Sequence, residues 1–161
     1  FDIFLNFLFL MAICVASNTP FWVAFLAFIS IQLQGTLYNY YYVILRNKSV
    51  GGDTTSKIFE YKTPKALPGE TQKAVNVLFG IYTIVYGIFD KIIHFLDSEA
   101  YKVKTFPNWF MTLLSLYGLG FQLLIIAVML PFGWIEWIAP FFVVYSFLIL
   151  VLIGIRKQFI H

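Results

Sequence analysis

The chain has 161 residues, 60% of them hydrophobic and only 12% charged, with a formal net charge of +3. A soluble domain carries about 25% charged residues, so half that share, together with long apolar runs, excludes an ordinary soluble enzyme and points to the membrane class. The one cysteine, Cys14, lies inside an apolar run, which excludes a disulfide framework or a cysteine-rich zinc site.

The first apolar run, Ile3 to Ala16, is interrupted only by Asn6. At 1.5 Å per residue it covers roughly 21–24 Å, short of the ~30 Å hydrocarbon core, so it is expected to continue upstream of Phe1. No basic leader or small-residue cleavage site precedes it, so it does not read as a signal peptide. The expectation is instead that the N-terminal part of a longer protein is absent. Ser17-Asn18-Thr19-Pro20 supplies cap residues followed by a proline suited to a first helical position.

The second run, Phe21 to about Arg46, is long enough to span with tilt. Its first half is apolar. Its second half carries Gln32, Gly35 or Thr36, Asn39, Tyr42 and Arg46 at helical spacing, hence on one face. Amides facing lipid are costly, so this face is expected to point at protein or at a water-filled cavity. The tyrosines from Tyr38 to Tyr42 read as an interface belt. Residues 47–73 hold Gly51, Gly52, Pro64, Pro68 and Gly69 among several lysines and read as an aqueous loop.

The third segment, Glu70 to about Glu99, places Lys73, Asn76, Gly80, Thr83, Gly87, Asp90, His94 and Asp97 at alternating spacings of three and four. That is one polar or small stripe on an apolar cylinder, and it either lines a cavity as a span or lies at the interface. The fourth, Pro107 to Leu130, carries Asn108, Thr112, Ser115, Gly118 and Gln122 near one face, a pattern of helix packing in membranes. The fifth, Trp134 to Ile155, ends at Arg156-Lys157, and Pro140 is expected to kink it or to sit in its first turns.

Basic residues decide the topology. If the third segment does not cross, Ser17–Pro20 and Pro131–Trp134 share one side and contain no Lys or Arg, while all 11 basic residues fall on the other side or at its boundary. Crossing would also bury Asp90, Lys91 and Asp97, at roughly 2.5–3.5 kcal/mol each at mid-bilayer. The fold expected is an all-α polytopic membrane protein of four transmembrane helices plus one amphipathic or fifth membrane helix. It forms a single membrane domain: a helical hairpin over 1–46, a cytoplasmic loop and amphipathic helix over 47–106, and a second hairpin over 107–161. The C-terminus is then cytoplasmic as well.

Three places can carry chemistry. After Gly51-Gly52, the residues Asp53, Thr54, Thr55, Ser56 and Lys57 offer hydroxyls, backbone N–H groups and an ammonium to a phosphate, with Arg46, Lys48 and Asn39 nearby on the preceding helix. The bland alternative is a solvated loop in which Asp53 or Thr54 caps a helical turn. Asp90 and His94 stand at i,i+4, which suits a metal half-site or a carboxylate-oriented general base, or simply a helix end meeting water. Asp2 and Asn6 stand one turn apart at the start of the first segment.

With Asp2-Ile3-Phe4-Leu5-Asn6 at the head of its first helix, the arrangement resembles the carboxyl-terminal part of a CDP-alcohol phosphatidyltransferase. That family has six membrane helices and a signature ending in Gly-x3-Asp-x3-Asp, whose carboxylates bind two divalent metals. Asp2 matches the first Asp of the final pair, and Asn6 stands where the family has the last. The Asp-Gly-x2-Ala-Arg half of the signature is not in this chain. The resemblance implies Mg2+ or Mn2+ held through Asp2 and Asn6, and a CDP-linked donor at the cytoplasmic face. It further implies transfer of a phospho-alcohol or phosphatidyl group to a hydroxyl, with Arg46, Lys48 and Lys57 on phosphate and His94 with Asp90 as a replacement base. The protein would be an integral membrane transferase of phospholipid biosynthesis in a bacterial inner membrane. The competing reading is a non-catalytic integral subunit of a larger membrane complex, packing through its small-residue faces. Membrane lipids are expected partners under either reading, as are a second copy of the chain or partner subunits, whereas nucleic acid is not.

Overall fold

The structure is a computed structural model that describes residues 2–49 and 63–160. Those residues form helices joined by turns: α1 (Asp2–Ser17), α2 (Phe21–Ser49), α3 (Gln72–Val85), α4 (Gly87–Leu96), a 3-10 turn at Ala100–Lys102, α5 (Asn108–Ser115), α6 (Leu119–Met129), α7 (Ile135–Tyr145) and α8 (Leu148–Phe159). By length and composition, two stretches can cross a membrane, Phe21–Lys48 and Ile135–Phe159. The number rises to four if the bent pairs α3–α4 and α5–α6 each count as one span.

The turn after α1 follows its residues. Ser17 Oγ bonds back to Ile13 O at 2.7 Å, Asn18 takes a positive φ of 55°, and Cys14 Sγ, buried, donates to Thr19 O. Asn tolerates that left-handed conformation better than most residues, so the chain reverses within a few residues and Pro20 leads into α2.

α2 is the axis of the molecule and touches α1, α4, α5 and α7. Its buried side chains divide between two apolar clusters. Near its start, Ala27 and Ile31 meet Leu10 and Ile13 of α1, Ile126 and Met129 of α6, and Ile138 and Phe142 of α7. Near its end, Leu37, Tyr41 and Ile44 meet Ile93 of α4, Phe110 and Leu114 of α5, and Ile149 and Ile153 of α8. The molecule therefore has a turn end, with the 17–20 and 130–134 reversals, and a charged end, where α2, α4 and α8 finish and α5 starts.

The third, fourth and fifth segments are not single straight helices. α3 and α4 bend by 41° around Tyr86, and α5 and α6 by 48° across Leu116–Gly118. At Gly118 the backbone is so tight that a Cβ would stand 3.0 Å from Ser115 O. Of the two places expected for Pro140, an early turn of the helix is the one seen: α7 starts at Ile135 and runs through it, and the interruption falls at Ser146–Phe147. There Ser146 Oγ bonds back to Phe142 O at 3.0 Å, a contact that loosens the ladder.

The two breaks repair each other. Tyr117 Oη donates to Tyr145 O at 3.1 Å, and Tyr145 Oη donates to Leu116 O at 3.4 Å, with the rings edge to face at 5.0 Å. A broken helix in an apolar setting is tolerable when side chains take up the freed carbonyls.

Two sequence expectations about faces need correcting. Asn108, Thr112 and Ser115 are exposed, and α5 packs through Phe110 and Leu114 instead, because an aromatic and a leucine bury far more apolar area than small polar residues. Tyr40 and Tyr41 are core residues rather than a belt. Tyr41 is fully buried, with edge-to-face contacts to Phe106 and Phe110 at 5.3 and 5.5 Å, and a carboxylate partner accepts its hydroxyl proton.

Candidate functional site

Between the two apolar clusters lies a polar layer. Gln34, fully buried on α2, donates to Phe142 O at 3.1 Å and to Ser146 Oγ at 2.8 Å, and accepts from Gln122 Nε2 at 3.0 Å. Gln122 also reaches Ile31 O at 3.3 Å. An unsatisfied buried amide costs about 1–3 kcal/mol, so this mutual satisfaction is what makes the layer tolerable.

Beside the layer the bundle opens into a cavity of about 400 Å³, bounded by α1, α2, the α3–α4 bend and the α5–α6 break. α2 contributes Gln32, Gly35, Thr36 and Asn39, the face that the helical spacing singled out. α1 contributes Asn6, α3 and α4 contribute Tyr82, Tyr86 and Asp90, and the far wall is Gly118 with Gln122. Asp90 is the only charged residue among the described ones that line it. The Nε2 of Gln32 is buried without a hydrogen-bond partner. Gly35 and Gly118 keep two walls free of side chains where the helices would otherwise fill the space.

One turn beyond Asp90, towards the charged end, stands His94. Its Nδ1 lies 3.1 Å from Tyr40 Oη, and Tyr40 Oη donates to Asp97 O at 3.0 Å. A carbonyl can only accept, so the single tyrosine proton is committed to Asp97 O. The His94 contact is then an Nδ1–H donating to Tyr40 Oη, which leaves the lone pair of neutral His94 on Nε2. The sequence pattern assigned this orienting role to Asp90. The structure gives it to Tyr40, and turns Asp90 to the cavity.

Asp97 was expected on the same polar stripe. It leaves α4 as its C-terminal cap and is fully buried, ion-paired with Arg156. Arg156 Nε donates to Asp97 Oδ2 at 2.6 Å and Tyr41 Oη to the same oxygen at 2.5 Å. Arg156, which reads in sequence as a helix-end anchor beside Lys157, is thus itself buried. Lys48, expected on phosphate, lays its ammonium on the carbonyls of Tyr101, at 2.6 Å, and Val103. Arg46 is exposed on α2, two turns past Asn39 and about 10 Å along the axis. At the surface Lys102 bonds Glu99 at 2.5 Å; hydrogen bonding and charge hold that carboxyl below the usual range, but an exposed pair contributes little to stability.

Asp53, Thr54, Thr55, Ser56 and Lys57 lie outside the described residues, so the expected phosphate loop does too. Asp2 opens α1, and its carboxylate is likewise outside what is described. Among the described residues no three His, Cys, Asp or Glu side chains come together as a metal site. Of the two metal ligands that the resemblance implies, Asp2 and Asn6, only the side chain of Asn6 is among those described, and it lines the cavity. The chain matches no protein-family model, no curated protein and no solved structure.

Proposed function

We propose that the protein is an integral membrane phosphotransferase that moves a phospho-alcohol group from a CDP-linked donor to a hydroxyl acceptor. The observation that carries this reading is the cavity. A bundle built only to pack would close it, since apolar side chains in place of Gly35, Gly118 and the amides would gain burial. An opening of about 400 Å³ lined by one carboxylate and several amides has the size and sparse polarity of a small-molecule site.

In this reading the alcohol portion of the substrate occupies the cavity and the phosphate portion lies towards Arg46. The acceptor oxygen forms a bond to the phosphorus that carries the alcohol. The bond from that phosphorus to the bridging oxygen breaks, and CMP departs with the electron pair. His94 Nε2 takes the acceptor's proton, its tautomer held by Tyr40. The charged end faces the cytoplasm, because basic residues gather there and the two turns at the other end lack them.

The experiment is acceptor-dependent release of CMP by the purified full-length protein in lipid nanodiscs, supplied with CDP-linked donors and alcohol acceptors. Release above the donor-only level supports the reading, and none with any donor and acceptor pair removes it. Orientation is tested separately in a Cys14→Ala background. A cysteine at Asn18 should react with an impermeant maleimide added outside intact cells, and one at Ser98 should not. Reaction of both would overturn the topology.

A non-catalytic membrane subunit is the second reading, favoured by α3. That helix buries none of its residues and presents Val77, Leu78, Ile81 and Ile84 outwards. Under this reading no donor would yield CMP.

A further inference from the structure

We infer that the bundle is built as two stacked halves that tilt against each other across one plane, with Tyr117 and Tyr145 as the latch between them. The cavity is the space that the tilt opens and closes. The movement is independent of which molecule the cavity binds.

Each half has its own apolar core. The charged-end core joins the end of α2 to α4, α5 and α8, and the turn-end core joins the start of α2 to α1, α6 and α7. Among the described residues, α2 is the one helix with buried side chains in both cores. Between them stands the layer of Gln34, Gln122 and Ser146, held by hydrogen bonds rather than by interdigitated apolar side chains. Close-packed cores move as units, so relative movement falls where no common core crosses.

The helix breaks fall in that same plane. α5 gives way to α6 at Leu116–Gly118, and α7 to α8 at Ser146–Phe147. Ser146 Oγ accepts from Gln34 of α2, and a Cβ on Gly118 would stand 3.9 Å from the Tyr38 ring. The α3–α4 bend reaches this stretch of α2 as well, since Tyr86 lines the cavity together with Gly35, Tyr38 and Gly118. Hinge motion is absorbed by a few residues at element ends, and here three sets of ends are level. α2 alone crosses unbroken, and Gly35 stands in it at this level with nothing within 4 Å of where a Cβ would sit. Glycine weakens a helix interior relative to alanine, so a small bend costs least there.

Tyr117 and Tyr145 hold the seam. Tyr117 is buried in the charged-end core, whereas Tyr145 closes α7 and packs against both cores. Tyr117 Oη donates to Tyr145 O and Tyr145 Oη to Leu116 O, so both bonds tie the end of α5 to the end of α7. The cavity bridges the seam: Asn6 stands on α1 of the turn half and Asp90 on α4 of the charged half. A tilt between the halves therefore changes its opening.

The test is pulsed dipolar EPR on the full-length protein in lipid nanodiscs, with pairs of spin-labelled cysteines in a Cys14→Ala background. Val15→Cys with Phe95→Cys spans the two halves. Val15→Cys with Trp137→Cys stays within the turn half, and Phe95→Cys with Leu150→Cys within the charged half; all these positions are exposed. The distribution across the halves should be wider than either distribution within one. Its second component should be displaced by about 3 Å, the movement that a tilt of about 15° gives Phe95 at nine residues, roughly 13.5 Å, from Tyr86. Tyr117→Phe and Tyr145→Phe each remove one hydroxyl and keep its ring, and each should raise the ratio of the second component to the first by about two- to tenfold. The distributions within each half should stay as they are, and retained unfolding midpoints show that each variant is folded. Equal widths across and within the halves in the parent protein overturn the articulation, and that result needs no variant. A distribution across the halves that is unchanged in folded Tyr117→Phe and Tyr145→Phe overturns the latch.

Discussion

Replacing Arg156 by Ala is expected to destabilise the protein by about 3–5 kcal/mol, the largest stability loss of any single change at the charged end. The cause is what the substitution leaves behind. Asp97 is fully buried, and its carboxylate is held by the Arg156 guanidinium and by Tyr41 Oη. Without Arg156 a carboxylate remains in a protein interior with one hydroxyl donor. It must stay charged at high cost, become protonated, or drag the end of α4 out to water. Each route loosens α4 from α8, and with it the wall that carries Asp90. Asp97→Leu combined with Arg156→Met should cost less than Arg156→Ala alone, since no unpaired charge survives. Thermal unfolding in one detergent, followed by helical circular dichroism, reads both. A midpoint for Arg156→Ala within a degree or so of the parent would mean that the pair does not tie these helices together.

His94→Ala should lower acceptor-dependent CMP release by about 10²- to 10⁴-fold, the range that a positioned general base contributes. The protein should still fold, because His94 is only half buried and its ring packs edge to face on Tyr40 rather than filling the core. Tyr40→Phe is the more discriminating change. It removes the oxygen that holds Nδ1–H, frees the tautomer, and should lower turnover without touching the reacting atoms. Its effect should therefore be smaller than that of His94→Ala and should shift the pH profile as well as the maximum. Full turnover in His94→Ala would assign the proton to another group.

Much of the site was legible where the chemistry left a periodic trace. The face of α2 carrying Gln32, Gly35, Thr36 and Asn39 stands out as amides and small residues at helical spacing, and it lines the cavity. Asp90 was legible for the same reason. The role of Asp97 was not, because Asp97 stands about two turns beyond Asp90 on the same stripe, and that spacing does not tell a cavity wall from a buried cap. Arg156 looked like any basic residue that ends a membrane helix. Only its meeting with Asp97 across 59 positions of sequence makes it a core residue, and no local pattern encodes that. The helix breaks were hidden likewise. Tyr117 and Tyr145 read as ordinary aromatics until Tyr117 is seen bonded to Tyr145 O and Tyr145 to Leu116 O. Pro140 sits in an early turn of α7, one of the two places its local signal allowed. Ile138, Ala139 and Phe142 are buried on both sides of it and hold α7 continuous.

The central claim is that the substrate sits in the cavity between α2 and α4, and protection of a cysteine there tests it most directly. Asn39 lines the cavity and is exposed, so Asn39→Cys in a Cys14→Ala background should react with a water-soluble maleimide. The rate should fall at least about threefold, a working threshold for site occupancy near half or above, when a CDP-linked donor and its alcohol are present. A cysteine at Asn18, at the turn end, should react at the same rate with or without them. An Asn39→Cys rate that ligands leave unchanged, at concentrations that saturate binding, would contradict the account.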